Sequence, residues 1–288
     1  MSVELLYTSA AQGLKQGSRG FCTVISTVGM PINLGTRLEG LSAYRHQFPP
    51  NHPDAAKNPV CFSHLRLSIG GRKVSILSRI SDYGIDYSQR TNKLAHHVVL
   101  DATELSPAGP AWLMEHGKIF RDAWNGQCDT PASGPAIAMQ NQSPRVCLEW
   151  GHLCGDPGWG GVVTDAFLET GPKPLWIIYS LDQSQQLLRL LNESIALMPV
   201  EQRWRATFST YATNLPPDAD CKVRCVLQGT DEARLAPARG AVIDFIKPLA
   251  SPASTANVSV AREGPDEFPL NEASSTTDPL DGKAYQEE

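Results

Sequence analysis

The feature that most restricts the fold of this chain is the segment VCFSHLRLSIGGRKVSILSRI at residues 60–80. Two runs in which apolar and polar residues alternate meet at Gly70-Gly71, and glycine readily adopts the positive φ that a two-residue hairpin turn requires. The alternation slips at Ser63 and His64, so the first arm has room for a β-bulge. The segment therefore predicts a β-hairpin and, with it, an antiparallel sheet.

Other segments of the N-terminal half extend this sheet and add helices to it. ELLYTSA and GFCTVISTV flank the Gly-rich turn AQGLKQGSRG, and KLAHHVVLD is a further apolar run, so we expect three more strands. In NLGTRLEGLSAYRH, Leu34, Leu38 and Leu41 have the spacing of an amphipathic helix, and Asn33 is its candidate N-cap. A second helix is predicted in SPAGPAWLMEHGKIF.

The C-terminal half changes from alternating strands to a strand-then-helix pattern. Residues 125–160 are rich in loops, with short strand-like pieces such as RVCLEW, and WGGVVTDAFLET is predicted to be a helix. KPLWIIYSLD is a compact apolar strand, and Asp182 at its end is placed to cap the helix QSQQLLRLLNESIALMP. RATFSTYAT and CKVRCVLQG follow as strands.

Together these elements predict an α+β fold: a mostly antiparallel sheet with helices packed at one side, and a second α/β-like lobe. We assign residues 1–157 to the N-terminal lobe and 158–247 to the second lobe of the same compact body. From residue 248 the sequence is rich in Ser, Pro, Thr and acidic residues, with few large apolar side chains. Burial there cannot offset the roughly 1–2 kcal/mol of backbone entropy lost per ordered residue. Residues 248–288 are therefore predicted to be a disordered tail.

Charge and hydropathy argue against two classes of partner. The chain has 25 Lys and Arg against 30 Asp and Glu, and the acidic excess lies after Pro248, so the body is close to neutral. Nucleic-acid binding normally needs a strong basic excess, and no apolar run approaches the length of about 18 residues that would suggest a membrane span. The N-terminus lacks the pattern of a secretion signal, and seven cysteines are an odd number. We expect a bacterial-type cytoplasmic protein with reduced thiols.

Two interpretations are open for Cys22. In the first it is the nucleophile of a Cys/His hydrolase or transferase, with His96 or His97 as the base. The acidic residue that orients the base would then be Asp82, Asp86 or Asp101. In the second, which we favour, Cys22 is a buried strand residue that packs as a small apolar side chain.

Metal and phosphate signals are weaker still. Cys221 and Cys225 are four residues apart in a strand, and Cys147, His152 and Cys154 are spread over a loop, so neither group has the close ligand pairs typical of zinc. The Gly-rich turn has two cations but not the G-x-x-x-x-G-K-[ST] pattern. We predict no metal, no cofactor and no catalytic residue.

Polar residues are concentrated before one of the predicted strands, in DYSQRTNKLAHHVVLD at residues 86–101. Successive strand residues point to opposite faces, so His96 and His97 must face opposite ways, whereas Asn92 and His96 share a face. An Arg19 or Arg90 that contacts the γ-phosphate would act like the arginine of a GTPase activator. We favour the simpler prediction that Arg90 pairs with Asp82 or Asp86 and holds the loop.

Three segments resemble the N-terminal domain of bacterial GTPase-associated proteins, in the type that begins with a Tyr-Thr-Ser strand. They are LYTSAAQGL (6–14), GFCTVISTVGMP (20–31) and DYSQRTNKLAHHVVL (86–100). The resemblance implies an interaction or adaptor module without assigned activity, of the kind encoded beside small Ras-like GTPases in bacterial conflict or regulatory systems. Residues that match the polar pattern are Tyr7, Ser9, Asp86, Tyr87, Arg90, Asn92 and His96.

We therefore predict a non-catalytic module that binds a protein partner, for which a small Ras-like GTPase is the candidate. The binding surface is predicted where the turn at 12–19 meets the loop at 86–96. Its residues are Tyr7, Ser9, Lys15, Ser18, Arg19, Asp86, Tyr87, Arg90, Asn92 and His96.

Overall fold

Nine strands of the computed structural model, which describes residues 1–265, pair into a single sheet. In chain order they are β1 (Val3–Ala10), β2 (Gly20–Ser26), β3 (Cys61–Ile69), β4 (Arg72–Ile85), β5 (Thr91–Leu100), β6 (Leu175–Tyr179), β7 (Phe208–Ser209), β8 (Val223–Leu227) and β9 (Ala241–Asp244). The α-helices are α1 (Ile32–Leu41), α2 (Pro110–His116), α3 (Leu148–Cys154), α4 (Gly158–Leu168), α5 (Leu187–Ala196), α6 (Asp231–Arg239) and α7 (Ala256–Glu263).

The sheet is antiparallel at one end and parallel at the other. Its order is β2-β1-β5-β4-β3-β7-β8-β6-β9. Every pair from β2 to β7 is antiparallel, whereas β7, β8, β6 and β9 run parallel to one another. The predicted α+β fold with a mostly antiparallel sheet is confirmed, and the α/β-like part continues that same sheet.

The β3–β4 hairpin forms where the sequence predicts it. Gly70 and Gly71 have φ values of 58° and 78°, as the tight turn requires. The predicted bulge in β3 is wrong, because the β3–β4 register runs unbroken from Cys61 opposite Ile80 to Ile69 opposite Arg72. The alternation slips there because a polar side chain is buried: His64 donates from Nδ1 to the Ala206 carbonyl over 2.7 Å.

Three local predictions are wrong at helix boundaries. Asn33 lies inside α1, whose N-cap is Pro31, although the three leucines of α1 are buried as expected. Asp182 belongs to a separate 3₁₀ turn at Leu181–Gln183, because α5 begins only at Leu187. RVCLEW leads into α3 and is not a strand, since the indole of Trp150 is buried and donates to the Leu190 carbonyl of α5.

The largest hydrophobic core lies between the sheet and α2, α4 and α5. Strands from both parts of the sheet contribute to it, for example Leu77 and Val98 from the antiparallel part and Ile177 and Cys225 from the parallel part. A smaller cluster beneath α1 includes Leu5 and Leu65. The two parts of the sheet are therefore held together by burial of apolar surface in a shared core, in addition to the backbone hydrogen bonds between their strands.

A helix occupies part of the segment predicted to be a disordered tail. Helix α7 packs on α4, and Arg262 forms a bidentate ion pair with Asp156 at 2.8 and 2.9 Å. Thr255 caps α7 by accepting from the Val258 N–H. The prediction of disorder is wrong at Ala256–Glu263. Each apolar residue of this helix is small and buries little surface by itself, but together they fit closely against α4. Residues 266–288 lie outside the described part of the chain.

Glycine in α4 makes this close approach possible, which gives a first prediction. A Cβ on Gly161 would overlap the backbone oxygen of Asn257, so Gly161→Ala should displace α7 and destabilise the protein by roughly 1–3 kcal/mol. Urea unfolding and hydrogen exchange of the α7 amides measure the two effects. Gly171→Ala is the matched control, since nothing lies within 4 Å of its Cβ position. Equal α7 exchange rates in the two variants would contradict this account.

Candidate protein-interaction surface

The turn after β1 and the loop after β4 lie at the same end of the sheet. Strands β1 and β5 are antiparallel neighbours, with Thr8 opposite Leu94, so the end of β1 lies beside the start of β5. A Cβ on Gly20, at the end of the turn, would lie 4.0 Å from Nη2 of Arg90. The two predicted loops therefore meet, as the proposal of a shared surface requires.

Asp86 organises the loop between β4 and β5. Its side chain is buried, and it accepts hydrogen bonds from the backbone N–H groups of Ser88 and Arg90 and from the hydroxyls of Ser88 and Ser9, at 2.7–2.9 Å. Burial alone would raise the pKa of this carboxyl, but these hydrogen bonds hold it well below its usual range. Arg90 completes the arrangement with an ion pair at 3.1 Å, as predicted.

Asn92 connects β1 to β5. Its side-chain oxygen accepts from the Ser9 N–H at 3.0 Å and from the Thr8 hydroxyl at 3.2 Å, and the residue is buried. Such a buried amide oxygen is expensive to leave unpaired, so this contact fixes the position of the end of β1.

His96 belongs to a buried network on one face of the sheet. Its Nδ1 accepts from the Arg121 N–H at 3.0 Å, so the neutral ring donates from Nε2 to Glu4 at 2.7 Å. The Arg121 guanidinium holds the same carboxylate at 2.7 and 3.0 Å. Burial would raise the pKa of Glu4, but the hydrogen bonds from His96 and Arg121 outweigh it and lower the pKa to about 2.

His97 has different partners, which confirms that the two histidines face opposite ways. Its ring lies between the hydroxyls of Ser42 and Ser78, at 2.9 and 2.7 Å. Burial lowers the pKa of His97 to about 3.

The dyad required by the Cys/His alternative is not formed. Both ring nitrogens of His96 and of His97 are engaged by other groups, and Cys22 packs in an apolar cluster that includes Leu6, Val24 and Leu94. Burial also raises the pKa of the Cys22 thiol, which disfavours the thiolate that a nucleophile needs.

Burial divides the ten predicted contact residues into two groups. Ser9, Asp86, Asn92 and His96 are 5% exposed or less, so in this structure they support the surface from below. Their polar groups are used in internal hydrogen bonds, and a direct contact of these four with a partner stays a prediction. The other six reach the surface fully or in part: Tyr7, Lys15, Ser18, Arg19, Tyr87 and Arg90.

Two further residues of this surface were not identified from the sequence. Phe21 is 44% exposed and stacks on Tyr7 with 6.2 Å between the ring centroids. Nζ of Lys93 lies over both rings, 5.0 Å from that of Phe21 and 5.9 Å from that of Tyr7. The position of Phe21 directly after Gly20 of the turn was the one sequence signal for this part of the surface. The sequence does not show whether Phe21 is exposed, because that depends on which strand lies beside it.

We refer to Lys15, Arg19, Phe21, Tyr87, Arg90 and Lys93 as the basic aromatic surface. Two shallow grooves border it. One, of about 490 Å³, runs beside Phe21 toward Ile32 and Glu39 of α1, and the other, of about 410 Å³, runs beside Tyr87 toward Trp124. Among residues 1–265, Arg90 is the one cation of this set with a carboxylate within 4 Å. Positive charge and exposed rings thus occur together at this end of the sheet.

Comparisons with protein-family models match both halves of the chain. Residues 1–135 match GTPase-associated protein 1, N-terminal domain type 2, and residues 147–247 match GTPase-associated protein 1, middle domain. The chain belongs to the GTPase-associated protein 1 family. The resemblance of the N-terminal segments is thereby confirmed. Searches of curated proteins and of solved structures gave no match. In the N-terminal domain of this family member, the β1–β2 turn, β2, the β4–β5 loop and β5 carry the basic aromatic surface. No helix within residues 1–265 has the length and apolar character to cross a bilayer.

The buried histidines predict a loss of stability in acid. Burial lowers the pKa of His64 to about 4 and that of His97 to about 3, whereas an unfolded histidine titrates near 6.5. Between pH 6.5 and 4 the unfolded chain therefore binds more protons than the folded one, and stability must fall as the pH falls. Each of the two rings contributes a slope of up to about 1.4 kcal/mol per pH unit.

Urea unfolding at pH 7, 6, 5 and 4 measures this slope. His97→Gln retains groups that can hydrogen bond to Ser42 and Ser78 but does not titrate. The slope of its unfolding free energy against pH should therefore be smaller than that of the wild type, by up to about 1.4 kcal/mol per pH unit. A wild-type stability that is constant over this pH range would show that these rings are accessible to protons in the folded state.

Proposed function

We propose that this chain is a non-catalytic adaptor that binds a small Ras-like GTPase through the basic aromatic surface of its N-terminal domain. Membership of the GTPase-associated protein 1 family supports a GTPase as partner. The observation that carries the proposal is the placement of Phe21 and Tyr87, 44% and 52% exposed, among four cations at one end of the sheet.

The surface has the composition expected of an interface. Exposed aromatic residues and arginines contribute most of the binding energy at protein interfaces, because they bury a large area at low entropic cost. The Lys93 ammonium over the two rings contributes roughly 0.5–1 kcal/mol to holding them in place. Unpaired cations favour a partner with an acidic surface, through the rate of association and through specificity.

The buried polar residues pre-organise this surface. Asp86 fixes the loop that presents Tyr87 and Arg90, and Asn92 fixes the end of β1 beside it. Ordering a loop before binding lowers the entropic cost of association. Asp86 therefore contributes to the proposed binding surface indirectly, by fixing the conformation of the 86–90 loop, although its own side chain is buried.

Binding to a purified small Ras-like GTPase from the same genome tests the proposal. Arg19→Glu should weaken binding by about 10- to 100-fold, since it places a negative charge where an acidic partner is expected. Phe21→Ala should weaken binding by a similar factor through loss of buried area. Calorimetry with the GTPase loaded with GDP, and then with a non-hydrolysable GTP analogue, measures both the affinity and its dependence on the nucleotide.

Lys173→Glu is the matched control, because Lys173 is exposed, lies outside this surface and has no ion pair within the described residues. If Arg19→Glu, Phe21→Ala and Lys173→Glu bind the GTPase equally, the surface is misplaced. If the wild type and Arg90→Ala both bind the GDP-loaded and the GTP-analogue-loaded GTPase with equal affinity, the adaptor does not sense which nucleotide the GTPase holds.

A further inference from the structure

A second concentration of positive charge lies at the opposite end of the antiparallel strands. A groove of about 450 Å³ opens there between the β3–β4 hairpin and the 3₁₀ helix Val200–Arg205. Arg66, Arg72, Lys73 and Arg205 all line it. We refer to it as the hairpin groove.

The four cations of the hairpin groove are not neutralised by ion pairs. Within residues 1–265, none of them has a carboxylate oxygen within 4 Å. Arg66 pairs with Ser75 across the strands, and Lys73 lies two residues from Ser75, so Arg66 and Lys73 are diagonal neighbours on one face. Diagonal cross-strand neighbours are about 7–8 Å apart, a distance at which like charges repel unless an anion lies between them.

The carboxylates that line the groove leave a positive excess. Asp101 already accepts hydrogen bonds from the backbone N–H and the hydroxyl of Thr103, and Glu201 is the second acidic residue. Among the residues that line the groove, four cations face two carboxylates, a formal excess of two positive charges. A ligand with two or more negative charges would balance them.

One wall of the groove is a fixed aromatic ring. The Trp204 indole N–H donates to the Ser106 carbonyl at 2.7 Å, and the His64 ring lies edge-on to Trp204 with 5.3 Å between centroids. A flat apolar wall beside several cations suits a ligand that combines phosphates with a planar ring.

We propose that the hairpin groove binds a small molecule carrying two or more phosphate groups. Guanidinium groups recognise phosphate oxygens through paired hydrogen bonds, and three of the four cations are arginines. The volume falls within the range of small-molecule sites, about 300–1,000 Å³. A nucleic-acid backbone would need a longer basic track than this bounded groove supplies.

Calorimetry with the full chain and no GTPase tests the proposal, with GTP, ATP and inorganic tripolyphosphate as probes at low ionic strength. We expect binding at micromolar to submillimolar concentration, weakened at least tenfold in the double variant Lys73→Gln, Arg205→Gln. Equal affinity for the three probes would identify the phosphate chain as the recognised group. Tighter binding of GTP or ATP would assign the base to the Trp204 wall, and Trp204→Leu should then remove the difference.

Lys173→Gln is the control for a general effect of charge, and its affinity should equal that of the wild type. The proposal is overturned if none of the three probes binds at 1 mM, or if the double variant binds as tightly as Lys173→Gln. It is also overturned if a 20-nucleotide RNA binds the groove more than tenfold tighter than every probe. If the chain fails to bind the GTPase but binds tripolyphosphate normally, only the adaptor proposal is contradicted. The failure of one proposal can therefore be distinguished from the failure of the other.

Discussion

Two residues of β7 hold the antiparallel and parallel parts of the sheet together. Phe208 pairs with His64 of β3 on one side and with Val223 of β8 on the other. So short a strand depends on side chains beside it. The Thr210 hydroxyl accepts from the Phe62 N–H at 2.8 Å, and His64 donates to the Ala206 carbonyl at 2.7 Å. His64 is fully buried and burial lowers the pKa of its ring to about 4, so the ring beside β7 is neutral at neutral pH.

Arg203 provides the second constraint on the same region. Its guanidinium is 1% exposed and donates to oxygens of Pro107, Asn141, Gln142, Ala196 and Met198, all but one of them backbone carbonyls. All of its donor groups are used without a carboxylate partner, and the contacts fix the connection between the two matched domains. Since Arg203 points into the core, its neighbours Trp204 and Arg205 are left to line the hairpin groove. A structural arginine thereby positions the residues of the proposed anion site.

The sequence was sufficient where local signals are strong and insufficient where packing decides. The hairpin at Gly70-Gly71, the leucine stripe of α1 and the apolar strand β6 follow from periodicity and turn chemistry. Helix α7 could not be predicted from its composition, because its stability comes from glycines of α4 that lie almost a hundred residues earlier. The same limit applies to α3, whose N-terminal amides at Glu149 and Trp150 donate to the distant carboxylate of Glu193.

At the candidate surface, the sequence located the loops but not the roles of their residues. Polar residues cluster in the 86–96 segment partly because Asp86, Asn92 and His96 must satisfy buried backbone and side-chain groups. A polar cluster in a sequence has the same appearance whether its groups face water or each other. The exposed position of Phe21, and the half-buried position of Lys93 over the two rings, arise only through the pairing of β1 with β2 and β5.

The two positively charged regions are far enough apart to act independently. They lie at opposite ends of β5, whose ten residues span roughly 30 Å at about 3.3 Å per residue. The Debye length at physiological ionic strength is about 8 Å, so charge at one end is screened from the other. An acidic partner at the turn end and an anion in the hairpin groove would thus not compete electrostatically. Any coupling between them would have to pass through the sheet itself, along β4 and β5, whose buried Ser78 and His97 form a hydrogen bond between the two ends.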